Sequence, residues 1–256
     1  MDFAGLINDW LEEGYFETAL TLIAAEGFDP NEAALSGKLP LIEAAEAESE
    51  EVVRELLRLG ADPNKLDVEE WYPLHSACVY GSTNIAAALL EYGANPHMRE
   101  GRFMSTPIFC ASRNGHCQII RMLLDRNVDV EIPDVDQRTP LMYAAEKGHK
   151  DVMDILLAHN AKVNVVDKDG STALMLAVKK SKLGCVQRLL ANGADLFKVD
   201  NKGMTALNYA TRNGSACLLF TMLESHAGFF NHYSDVPLVV VKGGKQGVTN
   251  KTDASS

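Results

Sequence analysis

Apolar residues recur along the chain in short blocks that have the spacing of amphipathic helices. Residues 52–57 form one such block, and residues 152–157 form another. Leucine, isoleucine and valine at positions i, i+3 and i+4 lie on one face of a helix and bury it against a neighbour. A breaker with glycine, such as residues 60–64, follows several of these blocks. The pattern therefore predicts many short helices separated by tight turns.

A seven-residue motif repeats along most of the chain. Its clearest copy is residues 139–145 (TPLMYAA), which Gly148 and a helical apolar block follow. The copies begin at Leu39, Tyr72, Thr106, Thr139, Thr172 and Thr205. Their spacing is 33 residues, with one step of 34 between the second and third copies. Self-similarity at this period predicts an array of stacked repeats.

Each part of the motif has a physical role in a unit of two helices. The hydroxyl of Thr139 is expected to cap the first helix, and Pro140 fits its first turn because no partner is available there for an N–H. The small side chains of Ala144 and Ala145 let neighbouring helices pack closely. A glycine such as Gly60 ends the second helix in a left-handed conformation. One repeat is thus expected to be a helix–turn–helix unit.

The motif and its period resemble the ankyrin repeat, and the resemblance covers residues 39–225 in six units. It implies an all-α solenoid of stacked helix–turn–helix units with β-turn fingers, in which each unit packs on its neighbours. Residues 1–38 keep the helical pattern without the Thr-Pro start, so we expect a degenerate N-terminal capping repeat. Residues 226–241 are apolar and are expected to form a C-terminal cap; a disordered tail and a docking strand are the alternatives. Residues 242–256 have the composition of a disordered tail.

Composition is that of a soluble globular protein. Of the 256 residues, 46% are hydrophobic and 23% are charged, which are ordinary values for a folded chain. No apolar run approaches about 18 residues, and acidic Asp2 lies where a signal peptide would be basic, so we expect neither a membrane segment nor export. The five cysteines form no dense framework, which favours a reducing compartment. We expect a cytoplasmic protein, with the nucleus as the alternative.

The formal net charge is −11. It argues against a dedicated binder of nucleic acid or anionic membranes, because phosphate would be repelled overall. The charge is also unevenly distributed. Residues 1–100 contain 20 acidic and 5 basic residues, a net charge of −15, whereas residues 101–256 contain 15 acidic and 19 basic residues, a net charge of +4. The two halves are therefore expected to attract different partners.

The sequence carries no recognisable catalytic or metal-binding motif. Residues 243–247 (GGKQG) lack the four-residue gap of a phosphate-binding loop. The cysteines form no Cys-x-x-Cys pair, and we expect buried, apolar thiols. The ankyrin resemblance implies that His75, His116 and His149 bond to backbone and tie one repeat to the next. We expect no enzymatic activity, no cofactor and no metal site.

The resemblance also indicates which residues face a partner, namely those of the fingers and those just after the alanine pair. An aromatic centre in the second and third units is formed by Trp71, Tyr80 and Phe103, with Glu69 beside it. Basic residues follow in units three to six. They are Arg102, Arg113, Arg138, Lys147, Lys168, Lys179, Lys180, Lys202 and Arg212. Tryptophan, tyrosine and arginine contribute much of the binding energy of protein interfaces.

These residues predict a protein–protein interaction module that acts as an adaptor, an inhibitor or a chaperone of one client. Its partner would present an extended segment or a helix, with an apolar anchor for Trp71 and Tyr80 and acidic residues along units four to six. The module alone is expected to be a monomer. One extra residue in the finger at residues 98–104 leaves the orientation of Arg102 and Phe103 open.

Several alternatives remain open. A chaperone-like holder could bind a basic client through the acidic half, or hold one cationic side chain between Trp71 and Tyr80 beside Glu69. A nucleic-acid or nucleotide binder could use the basic units, although the net charge disfavours this. Trp71 could also simply pack on the neighbouring finger, and the basic residues could form an ordinary solvated face.

Overall fold

A computed structural model describes residues 2–24, 27–101 and 104–225 of the chain, and within these ranges every regular element is an α-helix. The helices are α1 (Phe3–Glu12), α2 (Phe16–Ile23), α3 (Pro40–Glu46), α4 (Glu50–Arg58), α5 (Pro73–Tyr80), α6 (Thr83–Glu91), α7 (Pro107–Asn114), α8 (Cys117–Leu124), α9 (Pro140–Lys147), α10 (Lys150–Ala158), α11 (Ala173–Lys179), α12 (Leu183–Ala191), α13 (Ala206–Arg212) and α14 (Ala216–Ser225). They form consecutive helix pairs, which confirms the predicted all-α architecture. The predicted cap at 226–241 and tail at 242–256 lie outside the described residues.

The helix pairs stack in two layers. The first helices, from α1 through α13, pack side by side in chain order, and the second helices, from α2 through α14, pack in the same order. The main contacts run within one pair and between neighbouring pairs. The fold is therefore the predicted solenoid, with its core between the two layers.

The core repeats with the period of the sequence. One leucine of each central second helix is fully buried, and these residues are Leu56, Leu89, Leu123, Leu156 and Leu189. Alanines of the first helices, such as Ala44, Ala77 and Ala111, are likewise fully buried and let neighbouring helices approach closely. Burying each leucine stabilises the fold by about 1.5–3 kcal/mol relative to an exposed side chain.

The first helices begin in two ways. Thr172 and Thr205 each accept a hydrogen bond from a backbone N–H in the first turn, at 3.3 Å and 3.2 Å. Thr106 and Thr139 precede proline, and their hydroxyls make no capping bond. The expectation that threonine caps through its hydroxyl is thus wrong at these two positions, where proline occupies the first turn.

The second helices end in a left-handed residue. Gly60, Gly93 and Gly193 have φ values of 94°, 87° and 80° at this position. Asn127 and Asn160 take the same place in the intervening units, with φ values of 58° and 65°. Asparagine tolerates this conformation better than most residues with a side chain. The stop signal therefore persists where the glycine is missing.

An aspartate closes most of the fingers. The Oδ1 atom of Asp67 accepts hydrogen bonds from the N–H groups of Glu69 and Trp71, at 2.9 Å and 3.0 Å. Asp134, Asp167 and Asp200 make the same pair of bonds in their own fingers. Glu100 stands at this position in the third unit, and its N–H donates to the carbonyl of Ser105 at 2.9 Å, one residue further along. This shift accommodates the extra residue that the 34-residue step revealed.

Polar side chains join neighbouring repeats. The Nε2 atoms of His75, His116 and His149 lie 3.0–3.1 Å from backbone carbonyls of an adjacent repeat, which confirms their expected structural role. Asn64 bridges two units by donating to the carbonyl of Gly93 and accepting from the N–H of Asn95. Asn31 and Asn164 make equivalent bridges.

Candidate binding groove

The fingers and the exposed sides of the first helices form one surface, which we call the groove face. Its central feature is an open cleft of about 490 Å³, which we call the aromatic cleft. Trp71 and Tyr143 line it and are half-buried, and the buried Phe109 lies between their units. The ring centroids of Phe109 and Tyr143 are 4.2 Å apart in an edge-to-face arrangement, a favourable geometry for aromatic pairs. The cleft therefore spans the second, third and fourth units.

Acidic side chains line the same cleft. Glu100, Asp134 and Asp136 contribute to its surface. Asp134 accepts a hydrogen bond from the Tyr143 hydroxyl at 3.2 Å in addition to its two backbone bonds. Burial raises the pKa of Glu100, while a hydrogen bond with Ser105 and the charge of Arg113 partly offset that rise. The cleft thus combines aromatic walls with carboxylates.

Two arginines lie over the ring of Tyr143. The Cζ atom of Arg113 is 5.9 Å and that of Arg138 is 5.4 Å from the ring centroid, within the range of cation–π attraction. Arg138 also contacts Asp167 and Glu146, each at 3.3 Å. Arg113 is exposed, and within the described ranges it has no carboxylate within 4.0 Å.

Several predicted basic residues pair with carboxylates of the chain itself. Lys168 lies 2.6 Å from Asp136, and Lys180 lies 4.0 Å from Glu146. Lys179 donates to Ser171 and lies 3.7 Å from Asp200. Pairing lowers the charge that these cations present to a partner.

Three other predicted basic residues are exposed and lack such a pairing among the residues that the structure describes. They are Lys147, Lys202 and Arg212. Together with Arg113, they are the cations of the groove face that remain available to an acidic partner. Arg102 and Phe103 lie outside the described residues.

Near Lys179, Tyr209 and Asp200 form a second tyrosine–aspartate pair. The Nζ atom of Lys179 lies 4.2 Å from the ring centroid of Tyr209. The hydrogen bond that Tyr209 donates to Asp200, together with burial, raises the pKa of the phenol to about 12. Burial opposes ionisation of Asp200, but bonds from Tyr209 and from backbone N–H groups outweigh it and lower the pKa of this carboxyl.

The predicted aromatic centre is divided between separate places. Trp71 lines the aromatic cleft, whereas Tyr80 is 48% exposed and is not part of its lining. Burial, followed by the charge of Glu46, raises the pKa of Tyr80. Glu69 is exposed and lines a different cleft of about 440 Å³, which Asp9, Glu12 and the 93%-exposed Leu35 share. The structure does not bring Trp71, Tyr80 and Glu69 together into one cage.

The residues that the sequence reasoning missed are Phe109, Tyr143 and Glu100. A signal for Tyr143 was present, because a tyrosine occurs nine residues after the finger aspartate in two units, as Asp134 with Tyr143 and Asp200 with Tyr209. Glu100 is visible as a glutamate at the position where four of the other fingers carry aspartate.

The cysteines differ in exposure, and the described residues contain no candidate metal site. Cys78, Cys110 and Cys185 are buried as expected, but Cys117 is half-buried and Cys217 is exposed. Burial raises the pKa of Cys110 to about 12. In the described parts of the chain, no group of three or more His, Cys, Asp or Glu side chains could hold a metal ion. Those parts also contain no helix of the length and apolarity needed to cross a bilayer.

The stacked helix pairs, closing fingers and period of 33 residues define a helical repeat protein. A family model described as ankyrin repeats (3 copies) matches residues 10–100, 97–167 and 160–229. The chain therefore belongs to the ankyrin repeat family. The crystal structure of the human ASB11 ankyrin repeat domain is similar, with 26% sequence identity and a TM-score of 0.77 over 86% of this chain and 96% of that one. No match was found among curated proteins.

Proposed function

We propose that the chain is a non-catalytic adaptor, inhibitor or chaperone that binds a segment of a partner protein along the groove face. Ankyrin repeats are in general protein–protein interaction modules, and this coarser function follows from the family. The observation that supports the groove face is the aromatic cleft, because Trp71 and Tyr143 remain half-buried there beside open space. Aromatic side chains in such clefts are frequent centres of binding energy.

The partner segment is proposed to carry acidic residues where it passes the last units. Lys147, Lys202 and Arg212 support this, since they are exposed and unpaired within the described residues. Arg138, Lys168, Lys179 and Lys180 contribute less because the chain's own carboxylates already contact them.

A second candidate is a chaperone-like holder of a basic client at the N-terminal end. The cleft that contains Asp9, Glu12 and Glu69 supports it, because exposed Leu35 adds an apolar surface to these carboxylates. The first candidate places the partner along units two to six, whereas the second places it at the N-terminal helix pair and the first two fingers, so the two are separable by position.

Site-specific photocrosslinking tests the proposal. A photoreactive residue is placed in turn at Asn114 on the groove face, at Glu12 near the N-terminal cleft and at Gln118 on a second helix, all of which are exposed. A partner captured at Asn114 and not at Gln118 supports the groove face, and capture at Glu12 alone supports the second candidate. Capture confined to Gln118 contradicts both.

A further inference from the structure

We propose that the aromatic cleft takes the side chain of an arginine from the partner segment. This inference rests on the proposed function and specifies the chemistry of its anchor. It also replaces the purely apolar anchor expected from the sequence. The guanidinium group would lie between the aromatic walls with its N–H groups directed at the carboxylates.

The walls of the cleft suit a flat cation with an apolar stem. Trp71, Val79 and Tyr143 supply apolar and aromatic surface along which a methylene chain can lie. Guanidinium groups stack on aromatic faces, and they keep their charge in partly buried sites. The chain's own Arg113 and Arg138 already illustrate this preference, because both lie over the ring of Tyr143.

Glu100 distinguishes the third finger, which borders this cleft, from the fingers that carry aspartate at the same position. It is only 6% exposed, yet it lines the cleft. The aspartates at the equivalent positions each hold two backbone N–H groups of their finger. Ser105 is a hydrogen-bond partner of the Glu100 carboxylate, and no backbone N–H of the described residues donates to it. A carboxylate has about four acceptor positions, so a guanidinium group could share this one.

The charge balance of the cleft also favours a cation. Its lining contains the carboxylates of Glu100, Asp134 and Asp136 but a single basic residue, Arg113. Lys168 neutralises Asp136 from outside that lining. The net charge that remains in the cleft is negative. Because Glu100 is buried, an incoming positive charge would stabilise its carboxylate more than it would in water.

The charge of Arg113 distinguishes a cationic from an anionic side chain in the cleft. Its guanidinium group is exposed, it lies over Tyr143, and it has no carboxylate within 4.0 Å in the described parts of the chain. An arginine from a partner would meet repulsion from Arg113, whereas an acidic side chain would be attracted by it. Removal of this charge therefore changes the affinities for cationic and anionic guests in opposite directions.

The experiment uses the full chain and short peptides as probes. The ¹⁵N-labelled protein is titrated with acetyl-Gly-Gly-Arg-Gly-Gly-amide and with peptides in which citrulline, lysine or glutamate replaces the arginine. The indole N–H of Trp71 reports on the cleft, and that of Trp10, the other tryptophan, is an internal reference. We expect the arginine peptide to shift Trp71 alone and the citrulline peptide to bind about five-fold more weakly, because only the charge is lost.

Three variants sharpen the result. Glu100→Gln should lower the affinity for the arginine peptide about five-fold, and Arg113→Gln should raise it about two-fold. Glu51→Gln, a matched change at an exposed position of α4 outside both clefts, should leave the affinity unchanged. Equal affinities for the arginine and citrulline peptides would overturn the proposal. It would also be overturned if the glutamate peptide bound more tightly than the arginine peptide and lost affinity in Arg113→Gln.

The two proposals fail in different ways. If no arginine peptide shifts Trp71 while a partner still crosslinks at Asn114, the arginine site is wrong and the groove proposal stands. If the arginine peptide binds at Trp71 while the partner crosslinks only at Gln118, the arginine site stands as a property of the cleft, and its role in partner binding is wrong.

Discussion

The hydroxyl of Tyr143 donates a hydrogen bond to Asp134, with 3.2 Å between the phenolic oxygen and Oδ2. The other oxygen of the same carboxylate holds two backbone N–H groups of the finger. One aspartate therefore fixes both the finger and a wall of the aromatic cleft. Tyr209 and Asp200 repeat this relationship at 2.5 Å in the last unit.

We expect Tyr143→Phe to lower the free energy of unfolding by about 1 kcal/mol, because a single hydrogen bond to a partly buried carboxylate is lost. Tyr209→Phe should cost more, since the hydrogen bond that it loses is buried and shorter than that of Tyr143. Urea unfolding of both variants checks this order. An unchanged stability for Tyr209→Phe would show that these bonds do not brace the fingers.

His75 should make the fold sensitive to mild acid. Its ring is fully buried, and burial lowers the pKa to about 4. In the unfolded chain, the same histidine takes up a proton near pH 6.5. The stability that neutral His75 contributes is therefore complete above that pH and is lost as the pH falls towards 4. The free energy of unfolding of the wild type should fall by about 3 kcal/mol through this group as the pH falls from about 6.5 to about 4.

The measurement compares urea unfolding at pH 7 and pH 4.5 for the wild type and for His75→Gln. Carboxylates titrate in both proteins, so the difference between their pH slopes isolates His75. Glutamine retains an amide donor for the carbonyl of Ser105, which His75 contacts at 3.1 Å. Equal slopes would mean that protonation of His75 does not destabilise the fold.

Asn64 should contribute to cohesion between repeats. Its amide donates to Gly93 at 3.0 Å and accepts from Asn95 at 2.7 Å. We expect Asn64→Ala to cost about 1–2 kcal/mol and to speed hydrogen exchange at the Asn95 amide. Asn192→Ala, which removes one bond within its own helix, should cost under about 0.5 kcal/mol. Equal costs would assign Asn64 no special role between repeats.

The helix pairs were predictable because apolar spacing, alanine pairs and turn residues are local signals that the solenoid repeats. Which basic side chains pair with carboxylates was less predictable from the sequence. Arg138 and Lys179 belong to the basic set in the sequence, but the stacking brings Asp167 and Asp200 of the following fingers beside them. Such pairing depends on how side chains from neighbouring units meet.

Exposed cations in units four to six should accelerate binding of an acidic partner. Lys147→Glu combined with Arg212→Glu is expected to lower the association rate about ten-fold at low salt and to weaken its salt dependence. Arg121→Glu combined with Arg126→Glu makes the same change of charge beside the second helices, where both residues are exposed. Stopped-flow rates that fall equally for both double variants would indicate an effect of net charge alone.

The most direct test of the groove account is the affinity of Trp71→Ala for the crosslinked partner, measured by calorimetry with the purified proteins. Trp71 lines the aromatic cleft, so we expect the Kd to rise about 30-fold, or about 2 kcal/mol. Tyr80→Ala is the control, because Tyr80 is exposed outside that cleft, and its effect should stay under about three-fold. An unchanged Kd for a folded Trp71→Ala variant would contradict the account.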